Sequence, residues 1–199
     1  MKKKFNLRNF IDEQYKISFS YIKGSKNFIY SAIGIFFFFA LVGFFLPIPE
    51  SIGMQIINYF KELVSKTAGL SLPEMILFLF NNNSISGFMG LFFGAVFGIF
   101  PVLSSIANGF VLGFVSNTSV HQDGIFSLWR LFPHGIFELP AIFISFGLGI
   151  KLSTFILVKD KWKTFQKFFI NSLSVYIFVI LPLLVIAAII EGTLIYLGV

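Results

Sequence analysis

Between Glu74 and Asp123 the chain carries no Lys, Arg, Asp or Glu, and from Met75 to Val115 it is largely apolar. A single helix over that stretch would reach roughly 60 Å, about twice the hydrocarbon thickness of a bilayer. It must break or turn back on itself. Further apolar runs extend from Phe28 to Leu46, from Gly135 to about Leu157 and from Phe168 to about Leu197. A chain of 199 residues with 56% hydrophobic and 12% charged residues and a mean hydropathy of +0.87 cannot bury its apolar surface in a soluble core. That excludes a water-soluble globule and a disordered chain, and the absence of cysteine removes disulfide scaffolds and thiol chemistry. The expected class is an all-α polytopic membrane protein, with about five transmembrane helices plus interfacial amphipathic helices.

Two regions are expected: a basic cytoplasmic or interfacial helix over 1–27, and a transmembrane helical domain over 28–199. The basic opening segment (Lys2, Lys3, Lys4, Arg8, Lys16, Lys23, Lys26) lacks the small residues of a cleavage site and reads as the flank of a signal anchor. Pro47 and Pro49 end the first span. Asn81-Asn82-Asn83 and Gly98-Ile99-Phe100-Pro101 interrupt the long run, which predicts a helix over 84–100, a turn beside Pro101 and a return helix over 102–115. Spans are then expected near 28–46, 84–100, 102–115, 134–157 and 168–190. This arrangement brings Lys151, Lys159, Lys161, Lys163 and Lys167 to the side of the N-terminal cluster, the cytoplasmic side by the positive-inside rule. Only Lys61, Lys66 and Arg130 fall outside. The net charge of +6 thus serves orientation in a cell membrane, and no nucleic-acid partner is expected.

Amphipathic patterns flank the spans. Leu7, Phe10, Ile11, Tyr15, Ser18 and Ile22 share one helical face, as do Ile52, Ile56, Phe60, Leu63 and Val64, and Ile125, Leu128, Trp129 and Phe132 form a third set. Each reads as a membrane anchor or as a contact for headgroups or a partner. Ser71 and Glu74 have capping-box spacing. Small residues recur every fourth position at Gly90, Gly94 and Gly98, at Gly109 and Gly113, and at Ala141, Ser145 and Gly149. Such seams let helix backbones approach closely where lipid provides no hydrophobic drive, within one chain or between two copies of a homodimer.

Polar groups within spans are expensive, so they carry most of the functional information. The candidate cluster is Asn81, Asn82, Asn83, Asn108, His134 and Glu138. His134 and Glu138 lie four residues apart on one face of a helix starting near Pro133, and Glu138 lies where the helix dipole favours a carboxylate. Asn82 and Asn108 are expected within hydrogen-bonding reach of it, Asn108 lying deeper. A proton or solute path, a metal site and a satisfied polar knot fixing helix register all use such groups. His121 is the only other histidine, and its spacing to His134 matches no ligand signature, so no metal or other cofactor is expected. Nor is a nucleophile–base–acid set legible, so no catalytic residue is assigned.

The string Pro133-His134-Gly135-Ile136-Phe137-Glu138-Leu139-Pro140-Ala141, with Asn108-Gly109, Gly113 and the Asn81–Asn83 run before a glycine-rich span, resembles the stage II sporulation protein M family of integral membrane proteins. The resemblance covers roughly Phe28 to Val199. It implies a protein without enzymatic activity of its own that acts beside a peptidoglycan-degrading partner during engulfment in spore formers. Relatives in bacteria and archaea that make no spores have a less defined role. The leading expectation is a non-enzymatic scaffold or component of a membrane complex, in contact with lipids and other membrane proteins. The rival is a small-solute or lipid transporter using the polar cluster.

Overall fold

A computed structural model describes residues 6–95 and 98–197, except for the side chains of 130–134. No strand occurs among the described residues. The helices are α1 (Leu7–Lys23), α2 (Lys26–Phe45), α3 (Glu50–Thr67), α4 (Leu72–Phe92), α5 (Ile99–Asp123), α6 (Phe132–Ser153), α7 (Lys161–Val175) and α8 (Leu181–Leu197). A 3-10 turn at Phe93–Ala95 prolongs α4, and a π turn at Tyr176–Ile180 joins α7 to α8. Five stretches are long and apolar enough to cross a membrane: Lys26–Phe45, Leu72–Ala95, Ile99–Asp123, Gly135–Leu157 and Lys161–Leu197.

Contacts between helices fix their directions. Gly109 faces the Phe36 carbonyl, Gly113 the Ala40 carbonyl and Gly43 the Phe110 carbonyl, so α2 and α5 run the same way with their backbones touching. The Asn117 side chain extends this seam by donating to the Phe44 carbonyl at 2.9 Å. Along α4 and α6, Gly87 meets Ser145, Gly90 meets Phe146 and Gly94 meets Gly149, again in the same direction. Gly147 against Ile29 and Phe143 against Phe36 make α6 antiparallel to α2. Gly192 beside Ile76, with Leu184 near Gly87, makes α8 antiparallel to α4. The five stretches therefore alternate in direction along the chain.

The core lies where α6 is wrapped by α2, α4 and α8. Leu91, Ala141, Leu148, Val175, Tyr176, Ile180 and Leu184 are buried together there, and Phe36, Phe143 and Ile29 form a second cluster. Most remaining large apolar side chains point outward, including Phe37, Phe38, Leu41 and Leu103, as a lipid solvent requires.

Several boundaries differ from the sequence expectation. The Asn81–Asn83 run does not interrupt the second span, because α4 starts at Leu72 and passes through it unbroken. Asparagine costs only a few tenths of a kcal/mol in a helix. That cost is outweighed by a firm start, in which one Glu74 carboxylate oxygen accepts from the Ser71 N–H at 2.9 Å and the Ser71 hydroxyl at 2.6 Å. The reversal falls at Gly98, whose φ of 67° is left-handed, and α5 begins at Ile99. Pro101 is therefore in the first turn of α5, where its missing N–H has no helical partner to lose. The return helix runs to Asp123, well past 115. The last span is longer than 168–190 as well. A π turn accommodates Pro182 inside it, since proline cannot donate to the carbonyl four residues earlier. The third amphipathic segment is a 3-10 helix, Ile125–Leu131, with Ile125, Phe126 and Trp129 exposed.

Candidate functional site

Among the described residues, the asparagines expected in the polar cluster do not all meet at one place. Glu138 is buried on α6, and the α4–α6 register carried back seven residues from Gly87–Ser145 brings it level with Phe80, just before the Asn81–Asn83 run. Of those three, Asn83 is buried and Asn81 and Asn82 are exposed, with the Asn82 side-chain amide donating to the Asn83 side-chain Oδ1 at 3.3 Å. Asn108 stands apart. Its neighbour Gly109 is the residue packed inward, on the Phe36 backbone of α2. The Asn108 amide donates to the Ser104 carbonyl of its own helix at 2.8 Å, and the side chain is exposed. The expected hydrogen bond from Asn108 to Glu138 is thus replaced by a local one. The His134 side chain lies outside the described residues, although its backbone is in α6.

The small-residue positions do converge. Gly90, Gly94 and Gly149 form one seam with Ser145, and Gly109 and Gly113 form the other with α2, while Ala141 is fully buried and Gly98 faces Ser153. At the first seam the Ser145 hydroxyl donates to the Gly87 carbonyl and the Tyr176 hydroxyl to the Ser84 carbonyl at 2.7 Å. These bonds cross-link α4 to α6 and to the π turn near mid-span. The Ser84 hydroxyl is buried beside them without a hydrogen-bond partner.

A second polar centre, absent from the sequence reading, lies where α1, α2, α6 and α7 meet. Lys151 near the end of α6 donates to the Ser25 hydroxyl at 2.8 Å, with its ammonium 3.9 Å from the Tyr21 ring centre and 5.2 Å from that of Phe168. Ser25 in turn donates to the Tyr21 carbonyl at 2.6 Å, and the Tyr21 hydroxyl donates to the Phe168 carbonyl at 3.3 Å. Ser174 closes the α1–α7 contact through Ser18 at 3.2 Å and Gln14 at 2.9 Å. Burial pushes the Tyr21 phenol up to about 12, with a smaller opposing pull from Ser172. Sequence spacing treated Lys151 only as one more cytoplasmic charge. The signal that it does more is its position inside the apolar run from Gly135 to about Leu157, where a flexible cation folds back onto aromatic faces.

Among the described residues no three His, Cys, Asp or Glu side chains gather as a metal site. The profile of the family described as stage II sporulation protein M matches residues 32–194. The chain belongs to this family. The match takes in both seams, the π turn and the Pro133–Ala141 string. It leaves α1 outside, so the Tyr21–Ser25 half of the Lys151 centre lies outside the matched region. Neither the curated proteins nor the solved structures contain a match to this stage II sporulation protein M family member.

Proposed function

We propose that this membrane protein is a non-enzymatic component of a membrane complex, its N-terminus cytoplasmic, and that it presents the outer faces of α4 and α5 to a partner's transmembrane helix. The observation that carries this reading is Asn108. It is the tenth residue of α5, about 14 Å along that helix at 1.5 Å per residue, close to the middle of a bilayer core of about 30 Å. There its side chain is exposed. An amide facing hydrocarbon at that depth is costly, whereas against another helix it donates and accepts across the contact. Asn81 and Asn82 repeat the pattern on α4. Helix α3 adds an extramembrane surface: it meets the bundle chiefly through Gly53 on the Phe114 ring, and it leaves Ile52, Met54, Tyr59 and Val64 exposed.

A photo-reactive residue at 108 in native membranes tests the reading against one at Leu41, on the outer face of α2. Discrete protein adducts at 108 and lipid adducts alone at 41 are expected. Lipid adducts alone at both positions would refute it. Orientation is checked with single cysteines in this cysteine-free chain: Lys163→Cys is expected to resist an impermeant reagent added outside, while Lys61→Cys reacts. A transport reading rests on Glu138 and Asn83, both buried, on the neighbouring helices α6 and α4. It predicts solute flux in liposomes that Glu138→Gln abolishes without loss of folded protein.

A further inference from the structure

An open groove of about 420 Å³ lies between α1 and α7, lined by Lys16, Ile17, Ser20, Tyr21, Gly24 and Asn171. The two helices are antiparallel, with Gln14 and Ser18 meeting Ser174 at one end and Tyr21 meeting Phe168 at the other. Lys16, Ser20 and Gly24 follow one stripe of α1 at intervals of four, and Lys163, Lys167 and Asn171 follow one stripe of α7. The groove thus has ammonium, hydroxyl and amide donors on its walls, with the Lys151 charge held against the ring of Tyr21. Asp12, Glu13 and Asp160 are the acids of this end of the bundle. Among the described residues none of them is within ion-pairing distance of Lys16, Lys151 or Lys167.

Depth and polarity define the occupant. Apolar sequence begins at Phe168, one residue past Lys167, so Asn171 lies at the edge of the hydrocarbon layer. Ile17 lines the groove, and Phe19 and Ile170 project from its two helices as exposed apolar side chains. A cationic, donor-rich recess opening beside an apolar flank matches a molecule with an anionic head and hydrocarbon tails.

We infer that this groove binds the phosphodiester headgroup of an anionic phospholipid from the leaflet at the basic end of the bundle. Lys16, Ser20 and Asn171 supply the donors, and the acyl chains descend past Ile17 and Ile170. A bound lipid of this kind wedges α1 against α7 and completes the packing around the Lys151 centre.

Native mass spectrometry on the full chain in detergent tests the site, with phosphatidylglycerol, phosphatidylcholine of the same chains and inorganic phosphate as probes. One tight phosphatidylglycerol adduct is expected, with phosphatidylcholine bound at least tenfold more weakly. Lys16→Glu replaces attraction by repulsion and is expected to weaken that adduct about thirtyfold. Lys167→Glu is expected to act in the same direction, and Lys61→Glu on α3 to leave the adduct unchanged. Lys16 and Lys167 are exposed, so both variants retain the fold. Equal retention of the two lipids, or equal adducts in Lys16→Glu and Lys61→Glu, overturns the inference. Full displacement of the lipid by inorganic phosphate overturns the assignment to a phospholipid.

Discussion

Replacing Gly113 by alanine tests the closest helix contact in the protein. A Cβ there would lie 2.8 Å from both the Ala40 carbonyl carbon and the Phe44 nitrogen, against 3.4 Å for the start of ordinary contact. The Ala40 carbonyl oxygen would be nearer still. Both obstacles are backbone, so no rotamer change relieves them, and α5 must move away from α2 by more than half an ångström along the seam that also holds Gly43 and Gly109. Overpacking of this kind costs about 1–3 kcal/mol. Alanine returns up to about 1 kcal/mol of helix propensity. A net loss of about 1 kcal/mol corresponds to a melting temperature lower by roughly 2–4 °C for a chain of this size. Gly34→Ala is the control on the same helix pair, since a Cβ at Gly34 meets nothing within 4 Å. The assay is the fraction of protein remaining monodisperse after heating in detergent. Equal melting of the Gly113→Ala and Gly34→Ala proteins would show that the two backbones are not in contact, and the parallel α2–α5 seam would be wrong.

Two further outcomes follow from hydrogen bonding and burial. Ser145→Ala removes the donor to the Gly87 carbonyl and is expected to destabilise by about 1 kcal/mol. Ser84→Ala removes a hydroxyl without a partner and is expected to be neutral or stabilising in the same melting assay. A reversal of that order would contradict the mid-span geometry. Tyr21 is raised to about 12 from 10.0 by burial, so the folded chain keeps a proton that the unfolded chain releases. Its contribution to stability is complete below pH 10 and is lost as the pH rises through 12. Spectroscopic titration of tyrosinate is expected to show a late-titrating component that Tyr21→Phe diminishes; an unchanged curve in that variant would refute the assignment to Tyr21.

The Lys151 centre and the expected Asn/His/Glu cluster show where sequence reading stops. Periodicity along one helix identifies which residues share its face, so it placed Gly109 with Gly113 and Ser145 with Gly149. It cannot say which other helix that face meets. Asn108 illustrates the cost: its identity and depth suggested a partner on α6, but Gly109 is the residue that turns inward against Phe36, leaving the neighbouring amide outside. Lys151 erred in the opposite direction, since a terminal lysine reads as solvated until the ring of Tyr21 is found beneath it. The hairpin break fell at Gly98 because a left-handed residue ends a helix more abruptly than a proline within the first turn of the next.

Composition and the spacing of apolar runs determined that this chain enters a membrane and crosses it with helices, because burial in lipid depends on local length and polarity alone, and the Pro133–Ala141 string carried the family resemblance. The tertiary structure decided which helices run side by side, that α1 docks on α7, and which polar groups meet. Those outcomes depend on the register between segments far apart in the chain, which no local pattern encodes.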